Sequence, residues 1–282
     1  MIGEMTVLNQ YLDDRLAQSH AFFSKKEALE ALGMKSSAFV AAAGRLVKKR
    51  QLASPRRGFY LILRPEDRGQ VPHVLNWIDP LMKHIGLDYR IGLLGAACYH
   101  GVSHQAPMIF QVIVPEQLRD FDIDGNQVRF IYQAPPMFNK TNRPSWLMQV
   151  EGRWGAAAKA SGSELTLLDC VRYLRKVAGF DNLAQIAQDM GMRADPKKLA
   201  MIATNYENST VRRLGYLLDF VGHVRQAKAL ESFAQKAKST KLLKPPVSWF
   251  DEIHPQSYKQ DSKWRLMVNH DIDLDCPIIF EE

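Results

Sequence analysis

Three groups of residues have types and spacing that invite a chemical reading. His100 and His104 lie four apart, a spacing that on one helix face could hold a metal ion. Gly101 interrupts the pair, Cys98 would point elsewhere, and no third ligand follows at a recognisable interval, so hydrogen-bonded structural histidines are expected. Asp271, Asp273 and Asp275 alternate with Ile272 and Leu274. On a strand they would share a face, as in the carboxylate sets that hold Mg²⁺ for nucleotide transfer. The Gly-Ser element that should lie shortly upstream is missing, since Gly162-Ser163 is far away in sequence. A charged edge strand that discourages aggregation accounts for the three aspartates. Gly92 and Gly95 form no phosphate loop, because no Lys-Ser/Thr follows. Neither a Gly-x-Ser-x-Gly elbow nor a His-Glu-x-x-His helix occurs. The sequence therefore predicts no catalytic residue, metal ligand set or cofactor.

The chemistry that does stand out is electrostatic. The net charge is +7, and residues 1–68 carry 12 Lys+Arg against 7 Asp+Glu. Lys35, Arg45, Lys48, Lys49, Arg50, Arg56 and Arg57 fall in one stretch without an acid. A block so pure in sign suits a polyanion, with a solvated helix face as the alternative.

The elements around the block favour the polyanion. Leu12 and Leu16 lie at helical spacing in a first helix, Met5 to Ala17. Ser24 and Glu27 form a capping box for a second helix that Gly33 closes. Ser36 is expected to cap a third helix reaching about Arg50. Leu52-Ala53, the turn Ser54 to Gly58, and Phe59 to Leu63 read as a basic β-hairpin. This is the order of a winged helix-turn-helix. In the third helix Phe39, Ala43, Leu46 and Val47 form the core stripe, with Ser37, Ala41, Arg45 and Lys48 or Lys49 opposite. The alanines Ala38, Ala41 and Ala42 would let the helix approach a major groove, and Ser36 and Ser37 would meet base edges. Arg56 and Arg57 at the hairpin tip would grip phosphates or enter the adjacent minor groove, and Lys25 and Lys35 are counted among the DNA-binding residues. A winged helix used for protein contact is the rival reading of the same unit.

At 282 residues the chain is long enough for about two domains. Residues 65–72, polar and rich in Pro and Gly, are expected to separate a winged helix (1–64) from a second domain (73–282). In that domain helices are predicted over 74–85 and 89–100, and strands over 109–114, 128–132, 146–150 and 154–158. Five helices follow across 164–238, and one more strand over 264–268. The fold class predicted is α+β, a winged helix followed by a mixed domain ending in a helical half. No run approaches the ~18 apolar residues of a membrane span, and the first residues lack a secretory core. Cys98, Cys170 and Cys276 are odd in number and far apart, as expected of reduced thiols in a cytoplasmic protein. The end of the chain, 261–282, is acidic and is expected to serve as a solubilising tail or to contact a basic partner or the wing.

Several segments in order resemble the AbiEi-type antitoxins of bacterial abortive-infection systems. They are the wing Arg57-Gly58-Phe59-Tyr60-Leu61-Ile62 and the run Gly92 to Gly101 continuing through Ser103-His104-Gln105-Ala106-Pro107. Gln111-Val112, the stretch Ser163 to Tyr173 and the stretch Val211 to Leu218 complete the set. The resemblance implies a winged helix that binds inverted repeats of double-stranded DNA in its own operon promoter and represses it. It also implies a C-terminal domain that counters a nucleotidyltransferase-like toxin of a phage-defence system without needing a stable complex. It recasts His100 and His104 as residues that fix a buried turn. For antagonism, Arg172 with Arg175 or Lys176, and Arg212 with Arg213, are candidates, against a plain capping or ion-pairing role. A ligand-responsive winged-helix transcription factor is the alternative function.

Overall fold

The structure is a computed structural model that describes residues 2–67, 69–102, 109–246 and 258–274. His104, Asp275, Cys276 and the segment Ser103 to Pro107 lie outside the described residues. Two compact units are present: Met1–Arg90 with Met108–Gln133 and Gln149–Lys159, and Ile91–Pro107 with Ala134–Met148 and Ala160–Glu282.

The first unit begins with α1 (Ile2–Ala17), β1 (Phe22–Ser24), α2 (Lys25–Leu32), α3 (Ser36–Lys48), β2 (Leu52–Arg56) and β3 (Phe59–Ile62). Each boundary has a local cause. The Ser24 hydroxyl accepts from the Glu27 N–H at 3.1 Å, and the Ser24 N–H donates to the Glu27 carboxylate at 2.6 Å. That is the expected capping box, and it supplies partners for donors that a helix start leaves orphaned. Gly33, at φ 60°, ends α2 with its N–H on the Leu29 carbonyl. The cap of α3 is Lys35 rather than Ser36, which is the helix's first residue, and no side chain caps it.

Leu8, Leu12, Phe23, Ala28, Phe39, Ala42, Ala43, Leu46, Leu52 and Ile62 form one core. Phe23, Phe39 and Tyr60 meet ring to ring within it. Three of the four residues expected in the core stripe of α3, Phe39, Ala43 and Leu46, are buried, but Ala42 takes the place expected for Val47, which is 36% exposed. Strand β1, too short to read in the sequence, pairs antiparallel with β3, giving the order β1-β3-β2.

Beyond the winged helix, residues 65–72 lie within the first unit. Gln70 donates to the Asp124 carbonyl at 3.3 Å, and Asn126 to the Val71 carbonyl at 3.2 Å. The predicted helix 74–85 is a short turn followed by α4 (Ile78–Ile85). The apolar run predicted as a single helix over 89–100 divides into β4 (Arg90–Ile91) and, after Gly92, the helix α5 (Leu93–Tyr99). Strands β5 (Ile109–Val114), β6 (Phe121–Ile123), β7 (Asn126–Tyr132), β8 (Leu147–Glu151) and β9 (Ala157–Ser161) complete a six-stranded sheet. Its order is β6-β7-β5-β4-β9-β8, with β5 and β7 parallel over six residue pairs. The β6–β7 turn is Asp124-Gly125 at φ 46° and 80°, both positive, as a two-residue hairpin requires.

The second unit is mostly helical: α5, α6 (Pro135–Thr141), α7 (Ser163–Arg172), α8 (Phe180–Gly191), α9 (Pro196–Ala203), α10 (Asn208–Phe220) and α11 (Val224–Gln235). Helix α7 sits at its centre, packed by α5, α8, α9 and α10 and buried from Glu164 to Val171. Its polar side chains act as fasteners. Glu164 accepts from the Asp195 N–H at 2.8 Å, and Asp169 from the Tyr206 hydroxyl at 2.7 Å. A small sheet of β10 (Lys241–Leu242), β11 (Lys259–Asp261) and β12 (Leu266–Val268) closes the unit in the order β10-β12-β11. Residues 271–274 form no strand, so the charged edge strand expected there is not built among the described residues. This confirms the α+β class: a winged helix, then a mixed domain with helices toward its end. Among the described residues no helix is long and apolar enough to cross a membrane.

Candidate nucleic-acid interface

The basic block spans α3, β2 and the wing turn. On α3 the exposed residues are Ser36, Ser37, Val40, Ala41, Gly44, Val47 and Lys48, flanked by exposed Lys35 and Lys49. The stripe therefore carries small side chains and two valines, with cations at its two ends. Arg45 is half-buried beside it. Among the described residues no carboxylate lies within ion-pair distance of Lys35, Lys48 or Lys49. The same holds for Arg57, exposed at the tip of the wing, and for half-buried Lys25.

Wing and helices are locked together by backbone bonds. Gly58, at φ 80°, makes the tight turn, and its carbonyl accepts the Lys25 N–H at 2.7 Å. That bond satisfies an orphan donor at the start of α2 and fixes Lys25 beside the wing. The Ser54 hydroxyl donates to the Arg56 and Phe59 carbonyls, each at 3.1 Å. Pro55, which lacks an N–H, is tolerated because β2 is an edge strand, and the register slips between Ala53 and Arg56.

Two members of the block are engaged within their own unit. Arg50 holds Asp124 through both carboxylate oxygens, at 3.0 and 2.8 Å, and the Gly69 carbonyl at 3.0 Å. Arg56 donates to the Arg119 carbonyl and lies over the rings of Phe121 (5.0 Å) and Phe130 (5.4 Å). Burial pulls its pKa below the usual guanidinium value. Sequence order alone places Arg56 with Arg57 at the hairpin tip. Its aromatic partners are too distant in sequence to be read from the block.

The arginines singled out in the second unit are also bonded internally. Arg212, 2% exposed, donates to the carbonyls of Ser239 (3.1 Å), Trp264 (3.4 Å) and Arg265 (2.8 Å). Arg213 donates to the Leu242 carbonyl at 3.0 Å, and burial lowers the pKa of both. The two residues thus bind α10 to the β10–β12 sheet. Gly215, one turn on, lets Trp264 approach: a Cβ there would lie 2.1 Å from the indole. Arg172 pairs with Glu207 at 3.1 Å, and exposed Arg175 donates to the Pro246 carbonyl at 3.2 Å.

Half-buried His100 fixes a turn. Its Nε2 lies 2.9 Å from the Ser161 carbonyl, its own carbonyl accepts from Arg193, and burial lowers its pKa. Gly101, at φ 75°, has the Arg193 guanidinium where a side chain would stand. Among the described residues no group of three or more His, Cys, Asp or Glu could hold a metal ion.

Residues 90–220 match the family described as the AbiEi antitoxin C-terminal domain. The chain is also similar in fold to the crystal structure of the RV2827C protein from Mycobacterium tuberculosis. The TM-score is 0.62 at 15% identity, over 93% of this chain and 91% of that one. No curated protein matches the sequence. The likeness to the AbiEi-type antitoxins is thus carried by residues 90–220, which match that family's C-terminal domain.

Proposed function

We propose that the protein is a DNA-binding autorepressor and antitoxin acting in the cytoplasm. Its winged helix binds inverted repeats in the promoter of its own operon, and its C-terminal domain counters a nucleotidyltransferase-like toxin without requiring a stable complex. The observation that carries this reading is the cationic edge around α3 and the wing, Lys35, Lys48, Lys49 and Arg57, in a chain whose residues 90–220 match an AbiEi antitoxin domain. Small residues between the cations, Ser37, Ala41 and Gly44, suit a helix that must approach base edges closely. Ser36 and Lys25 flank this surface, and Arg45 borders it. In the antagonism half, Arg212 and Arg213 serve the fold through their interior bonds. Exposed Arg175, with Arg172 beside it, is the candidate for the toxin-facing role.

A promoter–reporter strain that also expresses the toxin separates the two halves. Lys48→Ala with Arg57→Ala is expected to lift repression while growth rescue persists, and Arg175→Ala to weaken rescue while repression persists. A reporter insensitive to the wild-type protein would overturn the repressor half. Full rescue by Arg175→Ala would remove that residue.

A ligand-responsive regulator is the second reading. It is favoured by an open cleft of about 710 Å³ in the first unit, bordered by Phe22, Phe59, Lys83, His84 and Arg153. His84 Nε2 lies 3.4 Å from the wing's Arg57 carbonyl, so a molecule seated there would bear on the wing. Small-molecule-dependent loss of promoter binding would establish this reading.

A further inference from the structure

Arg56 and Arg57 are adjacent in a basic turn, yet their surroundings differ. Arg57 is exposed, whereas Arg56 is half-buried, bonded to the Arg119 carbonyl and laid over Phe121 and Phe130. The irregular register at Ser54-Pro55 redirects the end of β2, which is how a bulge re-aims a side chain. At the other end of β2, Arg50 makes its two-oxygen bond to Asp124. Asp124 sits in the tight β6–β7 turn, so its position is set by that hairpin. The two arginines thus bracket β2 and pin it to β6 and β7 of the same unit.

We propose that Arg56 is a positioning residue. It docks the wing on the β6–β7 hairpin, so that Arg57 and the exposed stripe of α3 are presented to the duplex in one fixed arrangement. The consequence for DNA rests on the proposed repressor function; the docking itself does not. A guanidinium suits the task because it is planar and weakly hydrated, and can stack on rings while still donating to a carbonyl. A lysine would keep the charge and lose that geometry.

The test uses the full chain. Without DNA, amide hydrogen exchange across residues 54–59 should quicken about tenfold in Arg56→Gln and in Phe121→Leu, the scale of one cation–π contact. Arg57→Gln should leave it unchanged. Phe121→Leu keeps an apolar side chain in place, so it reports on the aromatic face and not on a collapsed core. With DNA, Arg56→Gln and Arg56→Lys should both weaken binding to the native upstream fragment at an unchanged salt slope. Arg57→Gln should make that slope shallower by about 0.9, the signature of one phosphate contact. Wing exchange unaltered in Arg56→Gln would overturn the docking. A slope lowered by about 0.9 in that variant would make Arg56 a phosphate contact instead. If wild-type protein bound native and scrambled DNA alike, the repressor reading would fall, and wing exchange would still decide the docking.

Discussion

Arginine is prominent in both units, and the two use it differently. In the second unit Arg212 and Arg213 are bonded to backbone carbonyls of their own chain, and Arg212 reaches three of them from a site 2% exposed. In the winged helix Arg50 and Arg56 are committed in the same way, while Lys35, Lys48, Lys49 and Arg57 stand exposed without an acidic partner among the described residues. A guanidinium satisfied by backbone carbonyls is a structural fastener, whatever its charge suggests in the sequence. An exposed cation with no carboxylate nearby has its electrostatic attraction available to a partner. The difference separates the surface that can bind a polyanion from residues of equal charge that cannot be spared for it.

The contrast breaks most readily at Arg212. Arg212→Met removes the buried guanidinium that ties α10 to the carbonyls of Ser239, Trp264 and Arg265, and should cost about 3 kcal/mol, roughly a 10 °C fall in Tm by calorimetry. Arg175→Ala, at an exposed site, should stay within about 0.5 kcal/mol. Equal melting of the two variants would erase the distinction. Next in size, Lys48→Ala with Arg57→Ala should weaken DNA binding tenfold or more and leave Tm unchanged, as expected of cations not used by the fold. Smaller again, Ser24→Ala removes half of the capping box and should cost about 1 kcal/mol, measurable by urea denaturation. The smallest effect is on pH dependence. Burial keeps the His100 pKa below its usual 6.5, so the unfolded chain binds a proton there that the folded chain resists. Stability should therefore decline as pH falls below about 6.5, and His100→Gln should flatten that decline.

Much of the winged helix is legible in the sequence because its signals are local. Ser24 and Glu27 are three residues apart, and Gly33 and Gly58 occupy positions where a positive φ is needed. The exchange of Ala42 for Val47 in the α3 core is not legible. Alanine is as compatible with a core as with a groove, so Ala42 and Val47 exchange places once Phe23 and Leu52 are packed. The apolar run at 89–100 conceals a strand, because a continuous buried strand and a buried helix look alike until Gly92 is seen to divide them. The exposed half of the candidate interface follows from charge and helix periodicity. The commitment of Arg56 does not, since Phe121 and Phe130 come to it only through the fold.

The most direct test of the central claim is fluorescence anisotropy on the DNA just upstream of the gene, against a scrambled fragment of equal length, over a salt series. The account predicts that the native fragment binds about 10³-fold or more tightly, with a steep salt slope that becomes shallower when Lys48 and Arg57 are replaced by alanine. Equal and weak binding to both fragments, unmoved by those replacements, would contradict it.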